Sequence, residues 1–195
     1  MGISMGGMRT FEWMSAYPAF AARAVPIIGS PRLATPGLLL WQAQLSVIEA
    51  AGKSGAGLRE AMKAVMAMHQ FALRTPAYHH ANTPPADWKK FKRSFEGGIA
   101  TGMHPLDWAA QLRAMMSQDV YARHGGSMER AAAAVRAEAL VVVATQDHLV
   151  NPRPAIEWAR QAGFALVELT GHCGHMAVSC EAGRAQDAVK QFLEH

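Results

Sequence analysis

Residues 2–8 read GISMGGM, and the interpretation of the whole chain starts from this stretch. The spacing Gly2-x-Ser4-x-Gly6 is typical of a tight strand-to-helix turn that presents a serine hydroxyl. Apolar residues follow at helix-like spacing: Met8, Phe11, Trp13, Met14 and Tyr17. We therefore expect Ser4 to precede a helix N-terminus, where the helix dipole and the backbone N–H of Met5 would stabilise an oxyanion.

A serine alcohol is a weak nucleophile until a base takes its proton, so a catalytic role for Ser4 also requires an acid and a histidine in later loops. Residues 139–144, ALVVVA, form the clearest strand, and Asp147 follows it. The next apolar run, residues 164–169, is followed by His172 and His175. Serine, acid and histidine then occupy three loops of one parallel sheet, where ligands bind in open α/β folds. We favour His175 as the base because Gly174 lets the loop turn inward, with His172 as second choice.

Each of these residues also has an ordinary structural interpretation. Asp147 could cap the following helix, either histidine could satisfy a backbone carbonyl, and Ser4 could be a turn residue. A soft metal could bind His172, Cys173 and His175, but this group lacks the paired spacing of a zinc site, so no metal is expected. The catalytic interpretation is favoured because order and strand context agree for all three residues.

Composition limits the other classes of function. The chain has 195 residues, of which 50% are hydrophobic and 17% charged, which suits one folded domain. The formal charge is +4, and the only dense basic run is residues 89–93, KKFKR, which we interpret as a solvated helix face. We expect neither a nucleic-acid nor a membrane partner. Two cysteines, Cys173 and Cys180, cannot build a disulfide scaffold, and without a secretory signal pattern the expected compartment is the cytoplasm.

The pattern of elements predicts an α/β fold in three parts. Residues 1–30 hold the serine turn, a helix and one strand at 24–29; residues 31–136 form a helical insertion; residues 137–195 carry the acid and histidine loops. Within the insertion, residues 75–85 are predicted to be a loop, and Asp107 is predicted to cap a helix. About three parallel strands with flanking helices result.

Several motifs together resemble homoserine O-acetyltransferase-like proteins of the α/β-hydrolase superfamily. The resemblance includes GISMGGM at 2–8, FEW at 11–13, YP at 17–18, AVPI at 24–27 and LLLWQ at 38–42. Near the end, DHLVNP at 147–152 is similar to the acid loop of the family, and GHMA at 174–177 to its histidine loop. The resemblance covers nearly the whole chain.

This resemblance implies a mechanism. Ser4 would attack an acyl donor, His175 would take its proton and Asp147 would orient the imidazolium. The acyl-serine would pass to water in a hydrolase or to a hydroxyl in an acyltransferase, with acetyl-CoA or another acyl-CoA as co-substrate and no bound cofactor. Residues 31–136 would form a lid that excludes water. The implied partners are a small-molecule ester or acyl donor and an acceptor.

Two departures from the family pattern leave the acceptor open. Met176 stands where the family usually has an acidic residue directly after the histidine. The arginine that would hold a homoserine carboxylate is not placed, with Arg32, Arg74 and Arg113 as candidates. Hydrolysis and acyl transfer therefore both remain as candidate reactions.

The N-terminal end of the chain also differs from the family pattern. An α/β-hydrolase sheet contributes several strands before the serine turn, and these bring a second oxyanion donor. We expect this chain to be the C-terminal part of such an enzyme, with its N-terminal strands missing. A bare sheet edge can pair with another chain, so a homodimer is one expected assembly. The alternatives are an inactive remnant serving as a binding or interaction module, and a helical interaction domain with an accidental serine motif.

Overall fold

The structure is a computed structural model that describes residues 1–52, 55–99 and 102–194. Across these ranges, five strands form one parallel sheet. They are β1 (Gly2–Ile3), β2 (Arg23–Ala24), β3 (Pro26–Ile27), β4 (Glu138–Ala144) and β5 (Ala165–Leu169). Because all of these strand pairs are parallel, the loops that follow the carboxyl ends of the strands meet at one edge of the sheet.

Strand β4 is the centre of the sheet. On one side its first residues pair with β2, and Val142 pairs with Ile27 of β3, which in turn pairs with β1. On the other side it pairs with β5 from Leu140↔Ala165 to Ala144↔Leu169. Every residue of β4 except Glu138 is buried, as expected for a parallel strand covered on both faces.

Helices cover both faces of the sheet and fill the insertion between β3 and β4. Their bounds are α1 (Met5–Ala16), α2 (Thr35–Ala50), α3 (Ala56–Leu73), α4 (Pro76–Asn82), α5 (Trp88–Gly97), α6 (Pro105–Met116), α7 (Met128–Ala134), α8 (Arg153–Ala162), α9 (Ala177–Cys180) and α10 (Ala182–Glu194). Short 3-10 helices occupy Pro85–Asp87, Ala122–His124 and Gly174–Met176. In the part of the chain that the structure describes, no helix is long and apolar enough to cross a bilayer.

Alternate residues of β4 pack into different cores. Val141 and Val143 contact the side of the sheet covered by α1, α7 and α8, where Trp158 is fully buried. Leu140 and Val142 face the opposite side, with α10. A third core joins α2, α3 and α6, and it includes Met8 of α1 and Val150 from the loop after β4. The helical insertion is therefore packed directly on the ends of the sheet where the predicted site residues lie.

The α/β class and the parallel sheet are confirmed, and several local details are corrected. The single strand predicted at 24–29 is two short strands, separated by Val25 and ended by Ile28 at φ 44°. A short strand also precedes Ser4, because Gly2 and Ile3 pair with β3. The sheet thus has more than the expected three strands.

Two predictions within the insertion are wrong. Residues 76–82 of the predicted loop form α4, which Thr75 caps by accepting a hydrogen bond from the Tyr78 N–H at 3.1 Å. Pro76 begins this helix, a position that tolerates proline because the first-turn N–H has no helical acceptor. At α6 the cap is His104 rather than Asp107, which lies in the first turn.

Helix α1 and the segment that follows β3 approach each other so closely that only glycine fits where they cross. A Cβ on Gly29 would lie 2.5 Å from the carbonyl carbon of Gly7 and 2.6 Å from the Met8 nitrogen. Both are backbone atoms, which cannot move aside without displacing the helix that follows Ser4.

We expect Gly29→Ala to lower the free energy of unfolding by about 1–3 kcal/mol or more, because the added methyl forces these two backbones apart. Urea unfolding measures the change. Gly183→Ala in α10 is the matched control, since nothing lies within 4 Å of its Cβ. The control should leave stability unchanged or raise it by up to about 1 kcal/mol. Equal stability of Gly29→Ala and the control would contradict the close approach.

Candidate active site

Ser4 lies in the turn between β1 and α1, in a backbone conformation unusual for a residue with a side chain. Its φ is 56° and its ψ is −118°. The turn is held because the Ser4 N–H donates to the Ile27 carbonyl at 2.9 Å and the Ser4 carbonyl accepts from the Met8 N–H at 3.0 Å. A non-glycine residue at positive φ stores strain, which is common at functional sites.

The two glycines that flank Ser4 differ in importance. A Cβ on Gly2 would lie 2.2 Å from the Gly6 carbonyl oxygen, so the turn requires glycine there. A Cβ on Gly6 would meet nothing within 4 Å. Only the first glycine of the motif is therefore demanded by the space around the turn.

Three side chains predicted from the sequence lie together at this turn. The Ser4 Oγ is 2.8 Å from the His175 Nε2, and the His175 Nδ1 is 2.6 Å from the Asp147 Oδ2. Because an ionised carboxylate only accepts hydrogen bonds, the proton of the neutral imidazole is assigned to Nδ1. The Nε2 lone pair then accepts the hydrogen bond of the serine hydroxyl. His175 and Asp147 are both buried.

Asp147 is oriented by the chain that follows it. Its second oxygen, Oδ1, accepts from the backbone N–H groups of Leu149 at 2.8 Å and Val150 at 2.9 Å. Both carboxylate oxygens thus have donors, which a buried charge requires. The alternative that Asp147 caps the next helix is not what the structure shows, because it is the Asn151 side chain that accepts from the Arg153 N–H of α8.

The loop after β5 brings His175, and not His172, to the serine. The His172 side chain is exposed, and its ring lies beside that of Tyr78. Gly174, at φ 63°, packs so closely on the end of α3 that a Cβ would lie 3.1 Å from the Arg74 Cα. Thr75 donates a side-chain hydrogen bond to the His172 carbonyl. The insertion therefore fixes the path of the histidine loop.

The two cysteines flank this loop and are joined. Cys173 and Cys180 form a disulfide across a separation of seven residues, with His175 between them. This bond was not predicted from the sequence, which offered Cys173 only as a candidate ligand for a soft metal. Bonded cysteines are rare in reducing compartments, and the compartment of this chain stays a prediction.

Met5 is the first residue of α1, so its N–H has no acceptor within the helix. Met5 and Ser4 line one cavity of about 160 Å³ beneath α2, α3 and α6. Its other lining residues are Trp41, Gln44, His69, Trp108, Gln111, Leu112, Met115, Leu149 and Val150. A substrate group in this cavity would contact the serine and the free end of the helix together.

The three arginines considered for a carboxylate lie elsewhere. Arg32 pairs with Asp119, Arg113 pairs with Glu49, and Arg74 stacks on the Tyr78 ring. None of the three lines the cavity that contains Ser4. Among the described residues, no cluster of three or more histidine, cysteine or acidic side chains could hold a metal ion.

The structure adds His69 and Gln44, which the sequence analysis did not single out as site residues. Burial, with a smaller contribution from the nearby His175, lowers the pKa of His69 to about 4. The His69 ring packs edge-on against Trp108 with centroids 5.1 Å apart. Gln44 is completely buried in α2 beside Trp41 and Leu45. In the sequence, each of these two residues is a polar side chain on the apolar face of a helix, and this pattern could have identified them.

The chain resembles known proteins in its structure and not in its sequence. No family model matches the chain, and no curated protein matches it. Among solved structures, homoserine O-acetyltransferase from Bacillus anthracis has a TM-score of 0.84 at 21% identity, over 100% of this chain and 59% of that one. An acetylester hydrolase from Corynebacterium glutamicum has a TM-score of 0.76 at 18% identity, over 91% and 54%.

An α/β-hydrolase enzyme from a deep-sea metagenome library also matches, with a TM-score of 0.76 at 15% identity over 100% of this chain and 64% of that one. The chain spans less than two thirds of each of these proteins. At such identities the likeness concerns the fold. The chain has a partial α/β-hydrolase fold, and the predicted resemblance to homoserine O-acetyltransferase-like proteins is confirmed at that level.

Because the pKa of His69 is lowered in the folded chain, we expect the free energy of unfolding to depend on pH. His69 binds a proton near pH 6.5 in the unfolded chain, whereas in the folded chain it binds one only near pH 4. The folded state is therefore stabilised above pH 6.5, and this contribution, up to about 3 kcal/mol, is lost as the pH falls toward 4. Urea unfolding at pH 7 and at pH 4.5 measures it.

His69→Gln should lose less stability between the two pH values than the unchanged protein does. His80→Gln, which changes an exposed histidine of α4, is the control and should keep the full loss. Equal losses in all three proteins would show that His69 is not held neutral by its surroundings.

Proposed function

We propose that this chain carries the catalytic groups of a serine-dependent acyl-transfer enzyme, which hydrolyses an ester or passes its acyl group to an acceptor hydroxyl. The observation that carries the proposal is the line from Ser4 Oγ through the His175 imidazole to Asp147, with contacts of 2.8 and 2.6 Å. Such a line allows a neutral serine to lose its proton as it attacks.

In the first half of the reaction, the Ser4 oxygen attacks the acyl carbonyl carbon while its proton moves to the His175 Nε2. Asp147 stabilises the imidazolium through the Nδ1–H. The carbonyl oxygen becomes an oxyanion, toward which the Met5 N–H and the N-terminus of α1 provide positive potential. Collapse of the intermediate breaks the bond from the acyl carbon to the leaving oxygen of an ester, or to the leaving sulfur of a thioester. The leaving atom takes the proton from Nε2, and the acyl-serine remains.

In the second half, water or an acceptor hydroxyl gives its proton to the His175 Nε2 and attacks the acyl-serine. The same oxyanion forms, and Ser4 leaves with the proton. Side chains of α2, α3 and α6 line the cavity at Ser4. Exclusion of bulk water by these helices when substrate binds would favour transfer over hydrolysis.

The substrate is proposed to be a small-molecule ester or an acyl thioester such as acetyl-CoA. Two of the structurally similar proteins are named for acetyl transfer to homoserine and for acetylester hydrolysis, which supports a short acyl group. The steps above use only side chains and backbone amides of this chain, so an acyl-CoA would act as co-substrate. The expected homodimer and cytoplasmic location, and the absence of nucleic-acid and membrane partners, stay predictions.

A fluorophosphonate probe tests the nucleophile. We expect covalent labelling of Ser4, loss of labelling in Ser4→Ala, and labelling slowed by about 10⁴-fold in Asp147→Asn, because the imidazole then loses its preferred tautomer. Ser15→Ala is the matched control: Ser15 also lies on α1 and bonds to a histidine, His124, at 2.7 Å. It should be labelled like the unchanged protein. A folded chain that reacts at no serine would instead favour a binding or interaction module.

Product analysis separates the two reactions. The chain is incubated with p-nitrophenyl acetate, and separately with acetyl-CoA and L-homoserine, and acetate, free CoA and O-acetylhomoserine are measured. Acetate without O-acetylhomoserine would establish hydrolysis, and O-acetylhomoserine would establish transfer. No product from either pair, with Ser4 labelled, would contradict a short-acyl substrate.

A further inference from the structure

The Gln44 side chain is held in one orientation by its neighbour. It is fully buried, and its Oε1 accepts a hydrogen bond from the Trp108 Nε1 at 3.1 Å. The indole nitrogen can only donate, so the amide oxygen must face Trp108 and the NH₂ group must face the other way. That Nε2 has no hydrogen-bond partner among the described residues.

A buried N–H donor without a partner is unfavourable, and native proteins nearly always pair such groups. Gln44 lines the cavity that Ser4 and Met5 also line. A molecule that occupies this cavity can therefore supply the missing acceptor. The partner would be an oxygen of a substrate that occupies the cavity lined by both Gln44 and Ser4.

The size and polarity of the cavity restrict this substrate group. A volume of about 160 Å³ is close to the roughly 150 Å³ that holds a benzene molecule, or about six non-hydrogen atoms. Trp41, Leu112 and Leu149 provide apolar walls. His69 is uncharged at neutral pH because burial holds its pKa near 4. The described lining side chains thus carry no formal charge, and a carboxylate here would lose its hydration without compensation.

The acyl half of the substrate is the half that needs such a cavity. In the proposed reaction the acyl group stays bonded to Ser4 through both steps, whereas the first alcohol leaves and an acceptor replaces it. A small cavity lined by Ser4 itself suits the group that does not exchange.

We infer that this cavity binds a short, uncharged acyl chain that carries an ether or keto oxygen, and that the Gln44 Nε2 donates a hydrogen bond to that oxygen. Gln44 is then a residue that determines acyl specificity. This inference rests on the proposed function, because it places the acyl group on Ser4. It deepens that function by naming the class of acyl group: short, neutral and oxygen-bearing.

Two pairs of esters of matched shape test the inference. p-Nitrophenyl methoxyacetate and p-nitrophenyl butyrate differ by one oxygen in place of one methylene in the acyl chain. The ratio of their kcat/KM values is compared in the unchanged protein, Gln44→Met and Gln44→Leu, so that their different intrinsic reactivity cancels. Neither replacement side chain can donate a hydrogen bond.

We expect the methoxyacetate preference to fall about five- to tenfold in both variants, the value of one neutral hydrogen bond. Gln42→Met, an exposed glutamine on the same helix, should leave the ratio unchanged. An unchanged ratio in both Gln44 variants would overturn the inference. A change confined to the alcohol-side pair, 2-methoxyethyl acetate and butyl acetate, would overturn the assignment to the acyl half.

A binding measurement separates this inference from the proposed function. In Ser4→Ala, which cannot form an acyl-serine, the side-chain NH₂ signal of Gln44 is identified in ¹⁵N-labelled protein by its loss in the double variant with Gln44→Met. Methyl methoxyacetate should shift this signal and methyl butyrate should not. Equal responses to both esters would overturn the inference. If methyl methoxyacetate alone shifts the Gln44 signal, but fluorophosphonate does not label Ser4 in the unchanged protein, only the proposed function is overturned.

Discussion

The hydrogen bond between the Ser4 Oγ and the His175 Nε2 joins residues 171 positions apart, and the rest of the site is arranged around it. Ser4 follows β1, Asp147 follows β4 and His175 follows β5, so the bond can form only if the sheet places these loops at one edge. Neighbouring strands lie about 4.8 Å apart, and β3 lies between β1 and β4. The histidine loop must therefore reach back across the centre of the sheet to meet the serine.

Both residues of this hydrogen bond are held in place by their surroundings. This offsets the entropy that is lost when two positions so far apart in sequence are brought together. On the serine side, positive φ at Ser4 costs about 1–3 kcal/mol, and it persists because Gly2, Gly7 and Gly29 let three backbone segments pack at close range. On the histidine side, the two backbone amides on Asp147 and the end of α3 against Gly174 fix the imidazole. The insertion thus supports the site as well as covering it.

The parts predictable from sequence were those determined by local pattern. Strand β4 is apolar on both faces, and Asp147 and His175 follow strands directly, so their placement needed only the parallel order of the sheet. Helix α4 was missed because Pro76 was interpreted as a breaker although Thr75 supplied a cap. Gln44 and His69 could not be assigned, because their role depends on Trp108, which is distant in sequence and meets them only through packing of α6 on α2 and α3. The disulfide likewise depends on how the histidine loop folds back.

The most direct measurement is a crystal structure of the protein after reaction with a phosphonate probe, together with one of the unreacted protein. We expect the unreacted Ser4 Oγ to lie about 2.6–3.2 Å from the His175 Nε2, with Asp147 on Nδ1. After reaction, we expect the Oγ to be bonded to phosphorus, with the phosphoryl oxygen directed at the Met5 N–H. A Ser4 side chain turned away from both the imidazole and the probe, with His175 paired to another group, would contradict these expectations.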